Sequence, residues 1–175
     1  VRDGGVVPVI LDRRGQEFAS GFMAVLITVV VAAGLADYNR LQTTRDAIER
    51  ASYEAALRGA SAGRDWAYAA ANGAMRLNGP AAQSAASAYL AQAMSDAGLN
   101  GYTSDIRVLP NPTGGTIASY PPTARASAFD TANWTTTQPA VGVYVEIAVP
   151  TMLLGLINGG ANVTLHAFGA AEAQN

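Results

Sequence analysis

The order of apolar and polar positions divides this chain into a helical amino-terminal part and a carboxy-terminal part richer in strands. Phe18 to Ala36 is nineteen residues without a charge. As a helix it extends about 28 Å, close to the hydrocarbon thickness of a bilayer. Ser20, Gly21 and Thr28 are its least apolar positions. From Asp37 the pattern turns amphipathic, with no Pro between. Leu41, Ile48 and Ala55 recur at intervals of seven, with Ala47 and Ala51 on nearby turns, giving a narrow stripe of apolar and small side chains. Asp46 with Arg50 and Glu54 with Arg58 are acid-first i,i+4 pairs on other faces, each contributing about 0.2–0.5 kcal/mol to a helix. Gly59 and Gly63 mark its end. The pattern predicts one continuous helix over 16–60, about 65 Å long, half of it standing beyond the apolar run.

Ser61 to Leu77 reads as a second, Ala-rich helical stretch, ended by Asn78-Gly79-Pro80. Pro80 to Leu99 reads as a third, with Pro in its first turn, Gly98 at its end and an apolar face of Tyr89, Leu90, Ala93, Met94 and Ala97. Strands follow. Ile106 and Val108 belong to a short one stopped by Pro110 and Pro112, and "TIASY" is a candidate second. Val141, Val143, Val145, Ile147 and Val149 alternate with their neighbours as a strand does, and 161–168 is the expected partner. The intervening "TMLLGLINGG" is apolar and suits a membrane-near or subunit-facing turn. Residues 121–140, rich in Pro, Thr and Asn without periodicity, are expected to be an exposed loop. The predicted class is α+β: a long membrane-spanning helix continuing into a small domain of helices and an antiparallel sheet of three or four strands. The organisation is then a short cytoplasmic or interfacial segment over 1–15, the long helix over 16–60, and an extracytoplasmic α+β domain over 61–175. "GVVPVIL" (Gly5 to Leu11) is too short to span and is interrupted by Pro8.

Flanking charge orients the helix. Arg13 and Arg14 precede the apolar run and Asp37 follows it, so the positive-inside tendency puts the amino end in the cytoplasm and 37–175 outside. The run exceeds the apolar region of an ordinary signal peptide, about 7–15 residues, and is read as a retained anchor in a bacterial cell membrane. Ser20 with Ala24 and Ala32 with Ala36 have the small-xxx-small spacing that lets helices approach in lipid. Glu17, at the membrane edge, is a candidate charge partner for a neighbouring subunit.

Composition narrows the chemistry. The net charge is −2, without the basic face that nucleic acid requires. Cys and Lys are both absent, which excludes disulfides, thiol chemistry, P-loops and Schiff bases. The single histidine, His166, falls out of phase with Val163, Leu165 and Ala167 in a predicted strand and is expected to be solvated or edge-packed. No Gly-x-Ser-x-Gly element accompanies it. Asp105, Asp130 and Glu146 show no metal-loop spacing. No catalytic residue, cofactor or metal site is expected.

The stretch "RRGQEFASGFMAVLITVVVAAGLADYNRLQTTRDAIERASYEAALRGA" resembles the amino-terminal module of tight-adherence (Tad/Flp) pilus assembly proteins of the TadE/TadG-like, pilin-related type. Arg13, Arg14 and Gly15 match its start, Asp37, Leu41 and Gln42 its middle, and Ala55-Ala56-Leu57-Arg58-Gly59-Ala60 its end. "VGVYVEIAVP" and "ANVTLHAFGAAE" resemble the family's closing strands. Pilin-type cleavage after Gly15 would want Glu at the fifth place, where this chain has Ser20, with Glu17 at the second. The resemblance implies a pilin-like lollipop, a structural subunit or assembly component of a pilus or surface filament. It would assemble through Ser20, Ala24, Ala32, Ala36, Leu41, Ile48, Ala51 and Ala55. Its expected partners are membrane lipid and other subunits, copies of itself or other pilus components. The alternative is a single-span accessory subunit of another membrane complex, with an outer domain that clamps its partners. An extracytoplasmic enzyme is a third class, disfavoured by the missing Lys and Cys.

Overall fold

The computed structural model describes residues 13–122, 133–157, 159–160 and 162–174. The "GVVPVIL" segment and Asp130 lie outside the described residues, as do the expectations attached to them. Helix α1 (Arg13–Ala62) is a single helix of 50 residues, about 75 Å from end to end. Nothing in its sequence interrupts the backbone ladder, because it lacks Pro and its glycines are isolated. The Gly63 amide closes it by donating to the Gly59 carbonyl at 2.9 Å.

The expected helical stretch over 61–77 is corrected. Asp65 terminates the preceding turn and caps a shorter helix, α2 (Trp66–Asn72), by accepting from the Tyr68 amide at 3.0 Å. Gly73, at φ 68°, stops α2 by taking a left-handed conformation. The chain from there carries Met75 and Leu77 into the core. The same Asp65 carboxylate pairs with Arg76 at 2.6 Å. The Tyr68 amide and the Arg76 side chain hold its pKa below the ordinary 3.8.

Helix α3 (Gly79–Asp96) is capped by Asn78, which accepts from the Ala81 amide at 3.2 Å. It buries Ala82, Ala86, Leu90 and Met94, a four-residue stripe. Ala82 and Ala86 meet Gly59 and Gly63 near the far end of α1, while Leu99, just beyond α3, lines a groove with Arg40 and Thr44. The two helices therefore run antiparallel. The contact is close: a Cβ at Gly59 would stand 2.8 Å from the Ala82 carbonyl oxygen and 2.9 Å from the Ala86 Cβ.

A three-stranded antiparallel sheet has the order β1 (Thr103–Leu109), β4 (Ala140–Val149), β5 (Val163–Glu172). Val141, Val143, Val145, Ile147 and Val149 of the central strand form one core with α1 and α3. The opposite face of β4 is covered too, which strict alternation alone did not foretell. A two-stranded sheet of β2 (Gly115–Ala118) and β3 (Asn133–Thr136) contributes to an aromatic cluster of Tyr120, Trp134 and Phe168 over Ala140 and Tyr144. Tyr120 and Trp134 lie against Gly142, where a Cβ would come within 3.0 Å of both rings. The expectation of a plain loop over 121–140 is therefore corrected at its carboxy-terminal end. Strand β3 rests on one large apolar side chain, Trp134, and β4 begins at Ala140. The expected "TMLLGLINGG" turn contains a short helix, α4 (Leu153–Ile157).

One close approach sets the seat of the sheet on the helix. A Cβ at Gly169 would overlap the backbone of Ser52 and Tyr53, so β5 lies directly on α1. Gly169→Val is expected to destabilise the domain by roughly 1–3 kcal/mol through overpacking. Gly79→Ala, at a site with open space around it, is expected to change it by less than about 1 kcal/mol. Chemical denaturation in a mild detergent, followed by circular dichroism, checks the pair. Because the Asp65 pKa is depressed in the fold, its stabilising effect is present above the ordinary value and lost as pH falls through the folded one. The difference in thermal midpoint between the wild-type chain and Asp65→Ala is therefore expected to shrink on passing from neutral to strongly acidic buffer.

Candidate functional site

The first half of α1 is apolar and uncovered. An 18-residue window has mean hydropathy 2.3 and none of it is buried against the rest of the chain. Phe18, Phe22, Val25 and Val29 are among the side chains that stand free. Among the described residues this is the one helix long and apolar enough to cross a membrane. Its two hydroxyl-bearing positions are satisfied internally. Ser20 donates to the Glu17 carbonyl at 2.9 Å and Thr28 to the Ala24 carbonyl at 2.8 Å. The run thus offers a hydrocarbon environment no unpartnered hydroxyl.

The anticipated assembly positions separate into two groups. Ser20, Ala24, Ala32 and Ala36 are exposed, and so is Glu17 at the opposite end of the run. Ile48, Ala51 and Ala55 are buried within the chain's own core, with Leu41 packed at its margin. The stripe expected to meet other helices is consequently covered by this chain's own core elements. Its small residues serve the close packing seen at Gly59 and Gly169. On the next face, Glu54 accepts a hydrogen bond from the Tyr89 hydroxyl, and Arg58 lies 5.6 Å from the centre of that ring. The carboxylate keeps the phenol protonated and its pKa raised.

The two halves of α1 meet at Asp37, the first charge after the apolar run. Its side chain is buried, 3% exposed. One carboxylate oxygen accepts from the Met152 amide at 2.7 Å. The other accepts from the Leu153 amide at 2.7 Å and the Leu154 amide at 3.1 Å. These are amide donors at the amino end of α4 that no intrahelical carbonyl can reach. An acid on one helix therefore caps another, more than a hundred residues later in sequence. One turn earlier on α1, the Leu153 side chain packs 3.3 Å from where a Gly34 Cβ would stand. The sequence exposed Asp37 only as a boundary, since nothing near it names the partner.

Elsewhere the titratable groups form small local clusters. His166 is half-buried opposite Glu146 across the β4–β5 ladder. Its Nδ1 lies 2.9 Å from the Tyr144 hydroxyl and 3.5 Å from Glu146 Oε2, while the same hydroxyl lies 2.8 Å from that carboxylate. The imidazole is thus hydrogen-bonded and packed on the edge strand β5, the second of the two expected placements. Asp105 pairs with Arg107 at 2.8 Å instead of joining Glu146. Among the described residues no group of three His, Asp or Glu side chains is arranged to hold a metal.

No protein-family model matches the chain, and neither does any curated protein or solved structure.

Replacing Asp37 with Ala strands three amide donors at once. Amide hydrogen exchange at Met152, Leu153 and Leu154 is expected to accelerate by at least tenfold, with Val143 and Val145 in the core unchanged. Asp37→Asn, which keeps one acceptor oxygen, is expected to fall between. Exchange mass spectrometry or NMR of the detergent-solubilised chain measures both.

Proposed function

We propose that this chain is a membrane-anchored, pilin-like structural subunit or assembly component of a Tad/Flp-type pilus or a related surface filament. The single observation that carries the reading is the uncovered apolar half of α1, which continues without a break into a helix that forms the spine of a small α+β domain. The module resemblance of 13–60 points to the same class. The apolar half crosses the bacterial membrane, with the amino end cytoplasmic and the domain outside. Between copies, the surfaces left for packing are those around Ser20, Ala24, Ala32 and Ala36, since the Leu41, Ile48 and Ala55 stripe is spent within the chain. The role is structural rather than enzymatic.

One observation favours a second reading. A filament built along the distal half of α1 would need that same stripe, and it is already covered. A single-span accessory subunit, clamping unlike chains with its outer domain, has no such need.

The chain lacks cysteine, so single-cysteine variants give clean crosslinks. Ser20→Cys and Ala24→Cys are expected to yield ladders of self-linked copies in intact cells and in filaments sheared from them. Ser84→Cys, exposed on α3, is expected to yield far fewer. Crosslinks from 20 and 24 exclusively to unlike chains, with no copy in the sheared fraction, would replace the filament reading with the accessory one.

A further inference from the structure

Asp37 and Gly34 fasten α4 to α1 at the last turn of the apolar run, and α4 itself is apolar on its uncovered side. Met152 is 67% exposed, Leu156 82% and Ile157 71%, with Leu154 partly open at 37%. Only Leu153 and Gly155 turn inward. Unpartnered apolar residues are ordinary when single, but four on one short tip make a contiguous patch. The surrounding sequence is as unusual as the patch: residues 147–165 contain no Asp, Glu, Arg or His.

Position decides what covers this patch. Gly34 lies about 3 Å inside the end of the apolar run along the helix axis. Exposed Val31 and Leu35 of the run lie within a turn of it. Tyr38, 59% exposed, follows at the level where aromatic residues gather in membrane interfaces. Arg40, the first cation beyond the run, stands about 6 Å above Ala36, at headgroup height. The Leu153–Gly34 contact and the Asp37 cap therefore set the start of α4 beside the end of the apolar run.

We propose that the β4–β5 hairpin tip, Met152 to Ile157, inserts into the leaflet nearest the folded domain as a second, shallow membrane contact. Asp37 is the positioning residue that holds it at that depth. This rests on the membrane anchoring proposed above. The ligand is the lipid surface itself, entered to the boundary between headgroups and acyl chains, the depth at which apolar faces of interfacial helices settle. Two contacts at the same end of the domain, the helix and the tip beside it, fix the domain's rotation about the helix axis. A lone span would leave that rotation free.

The test uses the full chain in vesicles of phosphatidylethanolamine and phosphatidylglycerol at low protein density. A polarity-sensitive fluorophore is attached in turn to Leu156→Cys, Leu26→Cys and Ser84→Cys, and lipids carrying a nitroxide high on the acyl chain serve as quenchers. Labels at 156 and 26 are expected to be quenched at least threefold more than the label at 84. Adding Ile157→Asp should abolish the extra quenching at 156 and leave that at 26 intact. A label at 26 that is quenched while 156 behaves like 84 overturns the tip contact and leaves the anchor standing. Failure of quenching at 26 overturns the anchor, and the tip contact with it. If 156 is shielded without lipid quenching, and the shielding grows with protein density, the patch belongs to a second copy and the proposal fails.

Discussion

Everything in this fold is referred to one unbroken helix. Its amino-terminal half is apolar and touches little of the chain, while its carboxy-terminal half supplies Ile48, Ala51, Ser52, Ala55, Ala56 and Ala60 to the interior. These are mostly small side chains. They contribute less burial than Leu or Phe would, but they let a helix and a strand approach almost to backbone contact. Gly59 and Gly63 perform this for α3, and Gly169 performs it for β5. Close packing of backbones replaces the bulk of large side chains, which suits a chain with few aromatics.

The sheet shows the complementary solution. On its helical face, valines and an isoleucine of β4 fill the gap between strands and small helical residues. On its other face, among the described residues, a two-stranded sheet covers it and large rings make up the volume. Tyr120 and Trp134 are 5.8 Å apart between centroids, and Phe168 meets each of them edge-on. Tyr120 also places its hydroxyl 2.8 Å from the Asp105 carbonyl oxygen and 3.0 Å from that of Gly142. One ring thus joins the cluster to two strands of the main sheet.

What could be read from the sequence follows from how local each signal is. Helix α1 was legible because apolar composition and then amphipathic spacing continue without Pro over some fifty positions. Strand β4 was legible because five branched side chains alternate in strict phase. Strand β3 was not, since Asn133–Thr136 offers only Trp134 as an apolar anchor within a turn-rich stretch. Five-residue α4 is shorter than any periodicity can register. The stripe of Leu41, Ile48 and Ala55 reads from its spacing as a packing surface, expected to meet other helices. Its spacing is the same whether the partner is a neighbouring copy or the chain's own core, and only the tertiary structure distinguishes them. Asp37 marks the limit most clearly: its three amide partners are separated from it by most of the domain.

The clamp at Asp37 has a mechanical consequence. A force pulling on the apolar half of α1 reaches the domain by two routes: through the helix backbone into its packing against α3 and the sheet, and through the carboxylate into the hairpin that ends β4 and begins β5. The second route runs through three hydrogen bonds, to the Met152, Leu153 and Leu154 amides, and enters both strands from the end they share. The base of the domain is thereby braced against the rod that carries it.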